Sequence, residues 1–166
     1  MAREPRTIRE LIYWEYAKLI AGSAAGSRTN YRFVSHTYQK LMKRQIEPSS
    51  ILTENQHLFS SGEICAYCGA THQLQWEHIV PRAIGGPDTF DNLVRACAPC
   101  NLSKGVRDPY QWYEAKDIDG IPRLVLGKFL KLVFSEYALL GVLDSPDFMR
   151  TQNIKRVTLS AVFTRR

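Results

Sequence analysis

Apolar residues recur at helical spacing toward both ends of this chain and at strand spacing in its middle. Ile8, Leu11, Ile12, Tyr16, Leu19 and Ile20 fall on one side of a helix over residues 7 to about 21. Thr7-Ile8-Arg9-Glu10 has the spacing of a capping box at its start. The small residues Gly22 to Ser27 interrupt it. Tyr31, Val34, Tyr38, Leu41 and Met42 predict a second helix from Asn30 to Gln45, stopped by Pro48, and Ser49 or Ser50 can cap a third to about Phe59. Beyond the middle, Asp108-Pro109 precedes a short aromatic helix with Tyr110, Trp112 and Tyr113. The longest helix runs from Pro122 to about Leu140 on a stripe of Leu126, Phe129, Leu130, Val133, Tyr137 and Leu140. Leu132 and Phe134 widen that stripe, so more than one side needs cover. In the tail from Asn153, Val157, Leu159, Ala161 and Phe163 alternate as in a strand.

Between the helical flanks the period changes to two. Leu74, Trp76, His78 and Val80 would share one face of a strand, and Gln75, Glu77 and Ile79 the other. Pro81 ends the ladder because it has no N–H to donate. Gly85-Gly86-Pro87-Asp88 is a turn region, Leu93 to Ala96 a returning strand, and Pro99 suits a first helical position. Asn101 and Lys104, three residues apart, then share one face of a short helix. The pattern predicts an α+β protein with a strand–loop–strand–helix nucleus and α-helices on both sides. Its regions are an N-terminal helical part (1–61), a central module (62–107) and a C-terminal helical part with a basic tail (108–166), expected to form one compact unit.

All four cysteines bracket this nucleus, as Cys65-x-x-Cys68 and Cys97-x-x-Cys100. Two such pairs separated by a few tens of residues have the spacing of a tetrahedral structural zinc site. Four thiolates would also suit an iron–sulfur cluster. Four sulfur ligands leave no open position on zinc, so any chemistry must come from what lies between the pairs.

That stretch, CAYCGATHQLQWEHIVPRAIGGPDTFDNLVRACAPCNLSKG from Cys65 to Gly105, resembles the HNH nuclease family, the ββα-metal finger, in its version with a four-cysteine zinc. An acid followed by His, Ile-Val-Pro, Gly-Gly, Asn-Leu, Cys-x-x-Cys-Asn and a nearby Lys all occur in order. The resemblance implies a divalent-metal-dependent DNA endonuclease. His78 stands at the first position of the motif and would be the general base for the attacking water. Asn92 stands at the second and would hold that histidine in place. Asn101 stands where many members have the last histidine. Glu77, where the family more often has Asp, would ligate Mg²⁺ or Mn²⁺ together with Asn101. Lys104 would face the scissile phosphate, and Arg82, Arg95 and Arg107 are candidates for flanking phosphates. A zinc-containing DNA-binding protein without catalysis, or an RNA-cleaving member, are the alternatives.

Composition agrees with such a partner. The chain has 166 residues, 45% hydrophobic and 11% aromatic, enough to bury a core. The formal charge of +6 and a pI of about 9.3 favour a polyanion. The first residues lack the apolar run of a signal peptide, and no segment reaches the length of a membrane span. A cytoplasmic protein with reduced thiols is expected. A homodimer would suit a nuclease that cuts both strands, since one site cleaves one strand.

Overall fold

The computed structural model describes residues 3–48 and 63–158. The chain divides into two compact units, Met1–Ile51 with Leu130–Val162, and Leu52–Phe129 with Phe163–Arg166.

In the first unit, α1 (Ile8–Ala24) packs on α2 (Tyr31–Met42). Thr7 caps α1 by accepting from the Glu10 N–H at 3.2 Å. The Glu10 carboxylate reaches back to the Arg6 N–H at 2.7 Å, one residue upstream of a regular capping box. The apolar stripe read from the sequence is buried: Ile8, Leu11, Ile12, Tyr16 and Leu19. Trp14 meets Tyr38 edge-on at 5.6 Å, and Arg9 forms an ion pair with Asp144 at 2.7 Å.

In the second unit, β1 (Leu74–His78) pairs antiparallel with β2 (Leu93–Cys97), with Trp76 opposite Arg95 and His78 opposite Leu93. The ladder feeds directly into α3 (Ala98–Lys104), where Pro99 falls in the first turn and its missing N–H costs no intrahelical bond. Helix α4 (Pro109–Tyr113) follows with Asp108 as N-cap. Here the capping box with Gln111 is complete, a signal the sequence reading passed over as a plain break. Tyr110 and Trp112 are buried, Trp112 edge-on to Tyr67 at 5.0 Å.

Helix α5 (Arg123–Leu139) runs from the second unit into the first, and its stripe residues Leu126, Phe129, Leu130, Val133 and Tyr137 are buried. Asp144-Ser145-Pro146-Asp147 reads from the sequence as the end of the helical region, yet helix α6 (Pro146–Thr151), capped by Ser145, opens there. The mixed helices and small two-stranded sheet make the protein α+β. Residues 153–158, the described start of the expected tail strand, form turns and a bend. The remainder of that strand, and the helix expected after Ser49, lie outside the described residues.

Candidate active site and metal centre

The two cysteine pairs converge. Their four Sγ atoms lie within 4.8 Å of one another, with Cys68 and Cys97 at 3.6 Å. A tetrahedron of sulfurs ~2.3 Å from zinc has edges of about 3.8 Å, so the donor set and its spacing fit that ion. Local backbone bonds build the first knuckle: the Cys65 N–H donates to Ala70 O and the Gly69 N–H to Cys65 O. Gly69 has φ +77, which favours glycine at that corner. Burial opposes a charged Cys65, but backbone N–H groups of Cys97, Cys68 and Tyr67 outweigh it and bring its thiol down to about 7, whereas burial and the neighbouring Cys97 and Cys68 push the Cys100 thiol up. A thiolate is the form a metal takes.

The hairpin between the knuckles inverts the usual polarity of a half-buried strand. On β1 the charged Glu77 faces inward and the indole of Trp76 faces out, 51% exposed. Glu77 is 4% exposed and Lys104 is 0% exposed, with Lys104 Nζ 2.5 Å from Glu77 Oε1. Lys104 also donates to the carbonyl of His78 at 3.0 Å, and the Tyr67 hydroxyl donates to Glu77 Oε2 at 2.7 Å. Burial pulls the Lys104 ammonium below the ordinary lysine range, while Glu77 acts in the opposite direction. Burial, reinforced by Glu77, holds the Tyr67 hydroxyl well above the usual tyrosine range, so it stays protonated and donates.

This network changes two expectations. Lys104 was expected to face a scissile phosphate; its ammonium lies inside the module as the counter-charge of Glu77. Glu77 was expected to ligate a divalent ion with Asn101; both its carboxylate oxygens already accept from protein donors. A divalent ion at Glu77 would share this buried carboxylate with the Lys104 ammonium, a competing positive charge 2.5 Å from Oε1. Asn101 is half-buried on α3.

Asn92 is fully buried and locks the loop that follows His78. Its Oδ1 accepts from the Val80 N–H at 2.8 Å, and its Nδ2 donates to Val80 O at 2.9 Å and Pro87 O at 2.8 Å. Its own carbonyl accepts from the Ile79 N–H at 2.8 Å. Gly86 lies under this clamp: a Cβ there would stand 1.8 Å from Val80 O, so no other residue fits without moving the backbone.

His78 ends β1 with its side chain part-exposed, and its Nε2 lies 2.9 Å from Asp88 Oδ1. An ionised carboxylate only accepts, so Nε2 carries the proton. The His78 hydrogen bond is the main cause that holds Asp88 below the ordinary carboxylate range, and Arg82 adds to it. The sequence reading missed Asp88 as a site residue. The signal was there in the Gly-Gly-Pro-Asp turn, which returns the chain toward the strand end, but it was read as a turn alone.

Of the arginines, Arg82 is exposed beside Asp88. Arg95 lies with its guanidinium 5.1 Å from the centre of the Trp76 ring. Arg107 donates to the carbonyls of Lys104, at 3.2 Å, and Ser103, so it closes the C-terminal end of α3.

Among the described residues no helix is long and apolar enough to cross a membrane. Residues 65–110 match the HNH endonuclease family. The CRISPR-associated endonuclease Cas9 of Corynebacterium diphtheriae is 41% identical over 61 residues, which cover 34% of this chain and 6% of that protein. The chain thus spans a small part of that relative. No solved structure matches. Over residues 65–110 the chain carries a module of the HNH endonuclease family.

Proposed function

We propose that this protein is an HNH endonuclease that hydrolyses phosphodiester bonds in DNA, with His78 as the general base. The observation that carries the reading is the held imidazole: His78 Nε2 lies 2.9 Å from Asp88 Oδ1 and donates its N–H to that carboxylate, at the end of a strand inside the matching module. In the neutral ring Nδ1 then keeps its lone pair and accepts a proton from water. The hydroxide so formed attacks phosphorus, the P–O3′ bond breaks, and the leaving oxygen takes a proton from solvent.

Asp88 fixes the tautomer and favours the imidazolium formed when water is deprotonated. Asn92 holds the loop between Val80 and Pro87 and with it the position of His78. Arg82, beside Asp88, is the nearest candidate for a flanking phosphate. The buried Lys104–Glu77 pair braces the strand through the His78 carbonyl. Zinc at the four cysteines holds the hairpin and α3 together and takes no part in the chemistry. The family resemblance implies a divalent ion, which would supply charge for the phosphorane-like transition state. Because Glu77 is already paired with Lys104, no step above depends on such an ion.

Incubation with supercoiled plasmid, single-stranded circular DNA and RNA, each with Mg²⁺ or Mn²⁺ and with an EDTA control, tests the proposal. Nicked or linear DNA is expected, and their ratio bears on whether a homodimer cuts both strands. Cleavage of RNA alone would overturn the choice of substrate. DNA binding without any cleavage would favour a non-catalytic binding module.

A further inference from the structure

The outward face of the hairpin carries two large rings in solvent. Trp76 on β1 and Phe90, in the turn before β2, are each 51% exposed, and their centroids lie 6.5 Å apart at 65°. Each ring carries a cation. Arg95, directly across the ladder, places its guanidinium 5.1 Å from the Trp76 centroid, and Lys128 places its ammonium 4.3 Å from that of Phe90. Lys128 also donates to the carbonyls of Phe90 and Leu93, at 3.1 and 2.7 Å, which fixes the turn that presents the ring.

A strand that buries a carboxylate and exposes its indole is not arranged for core stability. The Trp76–Arg95 contact alone would be an ordinary cross-strand pair. Phe90 is not in the ladder, yet it is held against the same indole and leaves half its surface in water. Adjacent exposed rings with cations on them match the chemistry of single-stranded nucleic-acid sites, where bases stack on aromatics and cations meet the backbone. The location agrees. Trp76 and His78 are two residues apart on one strand, so their side chains leave the same face about 7 Å apart, within the reach of one nucleotide.

We propose that Trp76 and Phe90, with Arg95 and Lys128, form a stacking subsite for an unpaired base next to the phosphate that His78 addresses. The preferred substrate is therefore DNA with an unstacked or single-stranded nucleotide at the cleavage point, not uniform duplex. This rests on the nucleic-acid substrate proposed above and narrows it.

The test is binding of the full zinc-loaded chain with no Mg²⁺ or Mn²⁺ added, so that cleavage does not intervene and the zinc stays in place. A short oligodeoxythymidylate and a blunt hairpin duplex of equal phosphate number are titrated against wild type, Trp76→Ala, Trp76→Phe and Phe90→Ala. Stacking is worth ~1–3 kcal/mol per base, so Trp76→Ala should weaken the single strand roughly 5- to 150-fold and the duplex by less than about 2-fold. Trp76→Phe should recover most of the loss. Phe90→Ala, off the strand ladder, should show the same selectivity even if Trp76→Ala folds poorly. Tryptophan fluorescence of the wild type should be quenched by the single strand, and that quenching should vanish in Trp76→Phe. Equal losses on both DNAs, no loss on either, or quenching that survives in Trp76→Phe would each overturn the subsite. Cleavage with an unchanged binding ratio would sink the stacking site and leave the nuclease standing; selective binding without His78-dependent cleavage would do the reverse.

Discussion

His78 Nε2 and Asp88 Oδ1 are 2.9 Å apart, and this single bond decides which ring nitrogen is free to act. Replacing Asp88 with Ala frees the ring to rotate and to take either tautomer. The expected result is a loss of cleavage rate on the order of 10–100-fold, the usual effect of removing a carboxylate that orients a functional histidine. DNA affinity should hold within a few-fold. Single-turnover rates and filter binding on the same preparation distinguish the two. An unchanged rate would remove Asp88 from the site.

The Glu77–Lys104 pair predicts a non-additive pair of variants. Glu77→Gln leaves a buried ammonium without its counter-charge, which typically costs ~3–5 kcal/mol. Lys104→Met alone leaves a buried carboxylate that keeps only the Tyr67 donor. Glu77→Gln with Lys104→Met should recover much of either loss, because a neutral pair of similar volume no longer needs charge compensation. Denaturant unfolding of the three variants against wild type gives the coupling energy. Additive losses would show that the pair is not the buried unit described here.

Removal of zinc should unfold the module. In small fingers a structural zinc supplies ~10–16 kcal/mol of apparent folding free energy. A strong chelator, or Cys97→Ser, should therefore abolish the protected amides of β1, β2 and α3. Metal analysis should find about one zinc per chain, as four thiolates make one tetrahedral site. A folded Cys97→Ser variant without zinc would contradict the structural role.

Acid stability should show the two depressed carboxylates. The His78 hydrogen bond holds Asp88 below the ordinary carboxylate range, and the Arg9 hydrogen bond does the same for Asp144. With a folded pKa below the unfolded one, the folded state binds fewer protons than the unfolded state between the two pKa values. The resulting stability is fully present above the unfolded value of about 3.9 and is lost as pH falls through the folded pKa. The gap in midpoint between wild type and Asp144→Asn should thus be constant near neutrality and close below about pH 4. A gap that widened on acidification would reverse the assigned direction.

Much of the fold was legible because each element announced itself locally. The stripe of α1, the period-two run through His78 and the paired cysteines each encode their own geometry, although the strand stops at His78 and Ile79 and Val80 are both buried in the loop beyond it. Asn92 was placed only by the resemblance to the family motif, because taken alone an asparagine after such a loop reads as a turn residue. The orientation of Glu77 and Lys104 was less so. Strand alternation put Glu77 opposite His78, but only the packing of Tyr67 and α3 shows which face is inside. Asp88 and the Trp76–Phe90 pair depend on where the loop from Arg82 to Asn92 returns. Turn residues signal that a return occurs and not where it ends. Helix α6 was missed because Ser145-Pro146 was read as a terminator, although a Ser cap followed by Pro also opens a helix.

The most direct test of the central claim is single-turnover cleavage of supercoiled plasmid by wild type and His78→Ala, in Mg²⁺ or Mn²⁺ with protein in excess. Loss of a general base should lower the rate ~10²–10⁴-fold, while DNA affinity and zinc content stay as in the wild type. A His78→Ala protein that cuts at the wild-type rate would contradict the account, because the proton of the attacking water would then be taken by another group.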